Sequence, residues 1–185
     1  EYANMIISRI PEERRIKKQW SPRRDDQGNI VKGRAEKINS IDSLDLSKDK
    51  WLILGRSKNK LDEMADRLKK KNLYFETKFG KSYSQKLYRS IVNWTRWTKN
   101  EGLTLPETKD VFEYLDKDFN EKQFENQELI KIKDVGFNSN MVWFEVFTKA
   151  SLNEKLYIRA MLGNGEKLSQ DARIKLSTIH TIKGD

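Results

Sequence analysis

The residues best suited to chemistry stand near the end of the chain, in the run Ile174 to Asp185. An alternating stretch from Arg173 to Thr178 reads as a strand, and His180, Lys183 and Gly184 follow it closely. A hydroxyl, an imidazole, an ammonium and a glycine backbone just past a strand's carboxyl end are groups that can meet phosphate, through side-chain donors and a close backbone approach. A histidine in that place serves a structural hydrogen bond equally well. A second candidate is Arg56, directly after the short apolar run Trp51-Leu52-Ile53-Leu54 and Gly55. A guanidinium at the carboxyl edge of a buried strand suits phosphate. On its own it also reads as a solvated loop charge.

These groups need an α/β frame. Trp51 to Leu54, bounded by charge and by Gly55, fits a buried strand of a parallel sheet. Leu61, Met64, Ala65 and Leu68 then mark one face of a helix, and Leu73 to Phe75 reads as a second strand. Strand, helix and strand together make a βαβ unit. Beyond Gly80, Tyr83, Leu87, Ile91, Trp94 and Trp97 recur at helical spacing, the pattern of a core-facing stripe.

From about residue 100 the pattern turns helical. Thr104 to Glu107 and Ser151 to Glu154 are two capping-box sequences. The first predicts a helix through Val111, Phe112, Leu115 and Phe119, the second one through Leu152, Leu156, Ala160 and Met161. Met141, Phe144 and Phe147 suggest another helix, and Leu129 to Val135 a strand or extended linker. Toward the start, Arg14 to Arg24 is a basic stretch that includes Lys17, Lys18 and Trp20. Asp25 to Asn29 is turn chemistry, and Ile30-Val31 and Ala35 to Ile41 read as short strands. Asn4 to Ile10 reads as the tail of a helix, and Ser40 to Lys50 as a polar connector or short helix.

Composition narrows the classes. The 185 residues carry a net charge of +9, from 37 Lys and Arg against 28 Asp and Glu. That balance favours a polyanionic partner, because cations that neutralise phosphates release counterions. With 36% hydrophobic and 10% aromatic residues the chain can bury a core. The absence of cysteine excludes disulfides and thiolate metal sites, and a single histidine leaves little for a metal. No metal ligand is expected in this chain. No apolar run approaches the roughly 20 residues of a membrane span, so no membrane partner is expected, and the expected compartment is cytoplasmic. Neither a Gly-x-x-x-x-Gly-Lys-Ser/Thr phosphate loop nor an Asp-Glu metal motif is present.

Thr178-x-His180-x-x-Lys183-Gly184 at a strand end resembles motif V of superfamily-one helicases of the UvrD/Rep/PcrA type. Leu52 to Asn59, with its helix and the Leu73 to Phe75 strand, resembles motif IV of the same family. Gly80, Tyr83 and the helix to Trp97 resemble the family's Gly-rich aromatic turn. Where the family usually has an aromatic residue stacking on adenine, this chain has Gly55.

The resemblance implies an α/β, RecA-like (P-loop NTPase-type) parallel sheet with flanking helices and a small, mainly helical insertion. It implies residues 1–99 as the first part of the second RecA-like lobe, 100–172 as the inserted subdomain, and 173–185 as the return to the lobe. On this reading the chain is a fragment, cut before the family's ribose-contacting glutamate and second arginine. Arg56 is then the catalytic, ATP-contacting arginine, with Gly184 also at ATP, and Thr178, His180 and Lys183 on DNA. The implied cofactors are ATP and Mg2+, with the Mg2+ ligands in a missing first lobe. The implied partners are that lobe and single-stranded DNA or DNA junctions, with movement 3′ to 5′, in repair or replication. Two alternatives stay open. One is a non-enzymatic nucleic-acid-binding module; the other is a helicase-like subunit of a helicase-nuclease.

Overall fold

The computed structural model describes residues 9–14, 22–33 and 36–179. It divides into two units, Glu1–Leu44 and Asp45–Asp185. In the first, Glu12–Arg14 and Ile41–Ser43 are single 3-10 turns, the latter capped by the Ser40 side chain. Arg24 and Ile30 form an isolated antiparallel bridge. Between them the Asp25 carboxylate accepts the N–H groups of Gln27 and Asn29, and Gly28 takes a positive φ of 84°. The expected strand over Ala35 to Ile41 does not form among the described residues. Its apolar residues are too few and too exposed to pin a strand register. The expected helix tail before Ile10, and Lys17, Lys18 and Trp20 of the basic stretch, lie outside the described residues.

The second unit is α/β. Strand β1 (Trp51–Gly55) leads through helix α1 (Lys58–Lys70) to β2 (Phe75–Thr77), which turns back as β3 (Gly80–Lys81). Helices α2 (Gln85–Thr98) and α3 (Leu105–Phe112) follow. Next come 3-10 turns at Glu121–Gln123 and Ile132–Val135, the single helical turn α4 (Trp143–Val146) and helix α5 (Leu152–Gly163). The chain then returns as β4 (Ile174–Thr178). The four strands lie in the order β1-β4-β2-β3. β4 pairs in parallel with both β1 and β2, and only the β2–β3 hairpin is antiparallel.

Alternation explains which sheet face is covered. Ile174, Leu176 and Phe75 are buried, and α1, which covers β1 and β4, turns Leu68 inward. On the other face Leu52 and Leu54 remain exposed. α1 packs on β1 and β4 because its apolar stripe recurs every third or fourth residue.

The larger core is helical. Leu87, Ile91, Trp94 and Trp97 of α2, the expected stripe, are buried among Leu103, Val111, Phe112, Leu115, Ile130 and Phe147. Trp94 lies edge-on to Trp97, Phe137 and Phe147. Both indole N–H groups are satisfied, Trp94 by the Met141 carbonyl and Trp97 by the Ile130 carbonyl. The same cluster runs from Tyr74 to Ala172, so α2 shares its core with the helical segment that follows it.

Several boundaries differ from expectation. α3 starts after Thr104 as its sequence predicts, with the Glu107 carboxylate accepting the Thr104 N–H at 2.9 Å. It stops at Phe112, and Phe119 stacks back on the Phe112 ring from a loop. α5 starts after Ser151, but without a side-chain cap bond there. The helix expected around Met141 to Phe147 is a single turn. Leu129 to Val135 supplies only the Leu103–Ile130 bridge and a 3-10 turn. Here tertiary burial of Ile130, Ile132 and Val135 overrides the alternating pattern.

Candidate functional site at the carboxyl edge of the sheet

Adjacent parallel strands end together. β1 and β4 run in register from Trp51 opposite Ile174 to Gly55 opposite Thr178. The loop after β1, which carries Arg56 and Ser57, therefore starts beside the end of β4 at Thr178. In an open α/β sheet this edge is where ligands are held.

Gly55 allows α1 to close on this edge. A Cβ built there would lie 2.8 Å from Cγ and Cδ2 of Leu61. α1 begins immediately after Ser57, and its first turn holds Lys58 and no carboxylate. The positive end of the helix dipole thus points to the same edge. Arg56 is exposed and has no hydrogen-bond or ion-pair partner among the described residues. Thr178 is half-buried at the end of β4. His180, Lys183 and Gly184 lie outside the described residues.

Between α1, the end of β4 and the β2–β3 turn lies a concavity of about 420 Å³. Leu61, Ala65 and Leu176 form its apolar part, and Lys58, Asp62, Thr77 and Ser177 its polar part. The sequence reading missed two residues on its wall, Lys78 and Phe79. The only sequence signal for them was a turn before Gly80 short enough to leave an aromatic at its tip. A larger recess of about 860 Å³ lies at the other end of α1, against α5, and includes Lys69, Asn72, Ser84 and Tyr157. It includes Tyr83 but neither Arg56 nor Thr178, so size does not identify the site here.

The return to β4 is fixed by polar contacts from the hairpin. The Tyr83 hydroxyl donates to the Leu168 carbonyl at 2.6 Å, and Lys81 Nζ reaches the same oxygen at 3.0 Å. The Tyr74 hydroxyl lies 2.8 Å from Glu76 Oε1 and 3.0 Å from the Gln170 carbonyl. Tyr157 donates to the Leu73 carbonyl at 2.7 Å and lies 2.9 Å from Ser82 Oγ. Burial pushes the Tyr83 and Tyr157 hydroxyls up to about 12. It also pushes that of Tyr74 well above its ordinary value.

Among the described residues no group of three His, Cys, Asp or Glu could hold a metal ion. Nor is any helix among them long and apolar enough to cross a membrane. No protein-family model matches the chain, and comparison with curated proteins and with solved structures gives no match either.

Proposed function

We propose that this chain is the second RecA-like lobe of an ATP-driven DNA helicase or translocase of the UvrD/Rep type. It would supply one wall of the ATP site and part of the single-stranded DNA track. One relationship carries the reading. The Arg56 loop and the end of β4 at Thr178, distant in sequence, are neighbours at the carboxyl edge of a parallel sheet. The motif IV-like and motif V-like segments must be neighbours there if they act on one ATP and one strand.

In this mechanism ATP lies between two lobes, and Arg56 faces its γ-phosphate. An exposed guanidinium with no carboxylate partner among the described residues is open to the oxygens that gain charge in the transition state. The described residues hold no group that fits Mg2+; on this reading the phosphate loop and metal carboxylates would be supplied by the facing lobe. Thr178, His180 and Lys183 would meet the DNA backbone or couple it to the ATP site.

The test is Arg56→Ala in a protein carrying both lobes. The expected result is a fall in kcat for ATP of roughly 10²–10³-fold or more, with DNA affinity little changed. An unchanged kcat returns Arg56 to a solvated loop charge and removes the ATP half of the reading.

A further inference from the structure

We infer that the concavity beside the β2–β3 turn takes one unstacked base of a single DNA strand, held against the ring of Phe79. This deepens the DNA-handling reading above and rests on it.

Phe79 is 81% exposed, whereas Trp94, Trp97 and Phe147 are buried in the helical core. The turn itself holds the ring out. Thr77 Oγ1 accepts the Phe79 N–H at 3.1 Å and reaches the Gly80 carbonyl at 3.4 Å. Gly80 takes a φ of 121°, a conformation that a side chain would resist. Phe79 is therefore presented by a formed turn.

Its surroundings select the ligand. Lys78 Nζ lies 4.9 Å from the ring centroid. Phe79 shares the concavity with Leu61 and Leu176, so a flat apolar body can pack there. Lys58 and Lys78 outnumber the one carboxylate, Asp62. An aromatic face flanked by cations is the sequence-tolerant platform that single strands use, with bases stacked and phosphates paired. The volume of about 420 Å³ falls within the range of small-ligand sites, about 300–1,000 Å³. Among the described residues no glycine-rich cradle for a triphosphate surrounds it, which favours a strand over a free nucleotide.

The experiment uses the 185-residue chain and two fluorescent oligonucleotides of equal length, one of ordinary thymidines and one of abasic sugar-phosphates. Phe79→Ala should weaken binding of the first by about 5- to 150-fold, the effect of one stacked base. It should leave the abasic strand unaffected, and Phe79→Trp should restore binding. Because Phe79 is exposed, thermal melts of the variants should match the unaltered chain. Two outcomes overturn the inference while the DNA reading stands. In one, Phe79→Ala weakens both strands equally or neither. In the other, adenosine monophosphate rather than the strand quenches the Trp introduced at residue 79. If the unaltered chain binds neither oligonucleotide, the DNA reading and this inference fall together.

Discussion

Arg173 and Glu166 form an ion pair of 2.8 Å in which the Glu166 side chain is only 6% exposed. The same guanidinium donates to the Leu46 carbonyl at 3.2 Å. One side chain thus ties the segment entering β4 to the segment entering β1. Arg173→Ala should destabilise the chain by about 3–5 kcal/mol, because it strands a buried carboxylate. Denaturant unfolding measures this, and a change under 1 kcal/mol, on that same scale for a broken buried pair, would show that the pair is solvent-compensated.

Gly55→Ala tests the closure of α1 on β1. The added Cβ meets Leu61 at 2.8 Å, so either Leu61 or the helix must shift. The expected cost is about 1–3 kcal/mol, that of overpacking. Combining it with Leu61→Ala should cost less than the sum of the two single changes. Strict additivity in the denaturant midpoints would mean that the two residues do not press on each other.

Alkaline pH should loosen the hairpin and the return segment. Tyr83 and Tyr157 ionise near pH 10.0 when unfolded and at about 12 when folded, chiefly because burial disfavours the phenolate. Groups whose pKa is raised by folding stabilise fully below the unfolded value, and that stability is lost as pH rises through the folded one. Unfolding free energy should therefore fall between about pH 10 and 12, with tyrosinate absorbance rising in step with the loss of structure. Early ionisation of every tyrosine, with structure intact, would contradict this.

Lys183 belongs to the phosphate-contact reading. Lys183→Ala should weaken single-strand binding about equally for different sequences. It should lower the slope of log affinity against log salt by roughly 0.7, the loss of one phosphate contact. His180→Ala should leave the slope nearly unchanged, since a mostly neutral imidazole releases few counterions. An unaltered slope for Lys183→Ala would take that residue off the DNA.

The sheet was legible where burial writes a period. The Leu61, Met64, Ala65, Leu68 stripe gave α1 and the Trp94–Trp97 stripe the helical core. The Trp51 to Leu54 run gave the place of β1 but not its burial, since Leu52 and Leu54 are exposed on the uncovered face. The Leu73 to Phe75 run places the second strand two residues before its observed start at Phe75, because Tyr74 has a strand residue's type. Its ring is spent in the helical cluster and its hydroxyl on Gln170. β3 is too short to leave a pattern. Met141, Phe144 and Phe147 suggest a longer helix than forms: only Trp143–Val146 makes a helical turn, and Phe147 just beyond it is buried in the core. At the site, Arg56 and Thr178 could be named individually, but their adjacency follows from strand order, which no local spacing encodes. Phe79 carries no sequence signal of its own, because a single exposed aromatic leaves no period.

Strand order also sets a timetable for folding. β4 sits between β1 and β2, yet among the four described strands it is the last to leave the ribosome. Until residues 174–178 emerge, β1 and β2 have no neighbour in common and the sheet has no middle. The helical core can condense first, from contacts close in sequence, while the β1–β4 pairing must close a much longer loop. A nascent chain stopped before Ile174 would carry a formed helical body and leave open the edges of β1 and β2 that β4 covers, the state most prone to pair with a neighbouring chain.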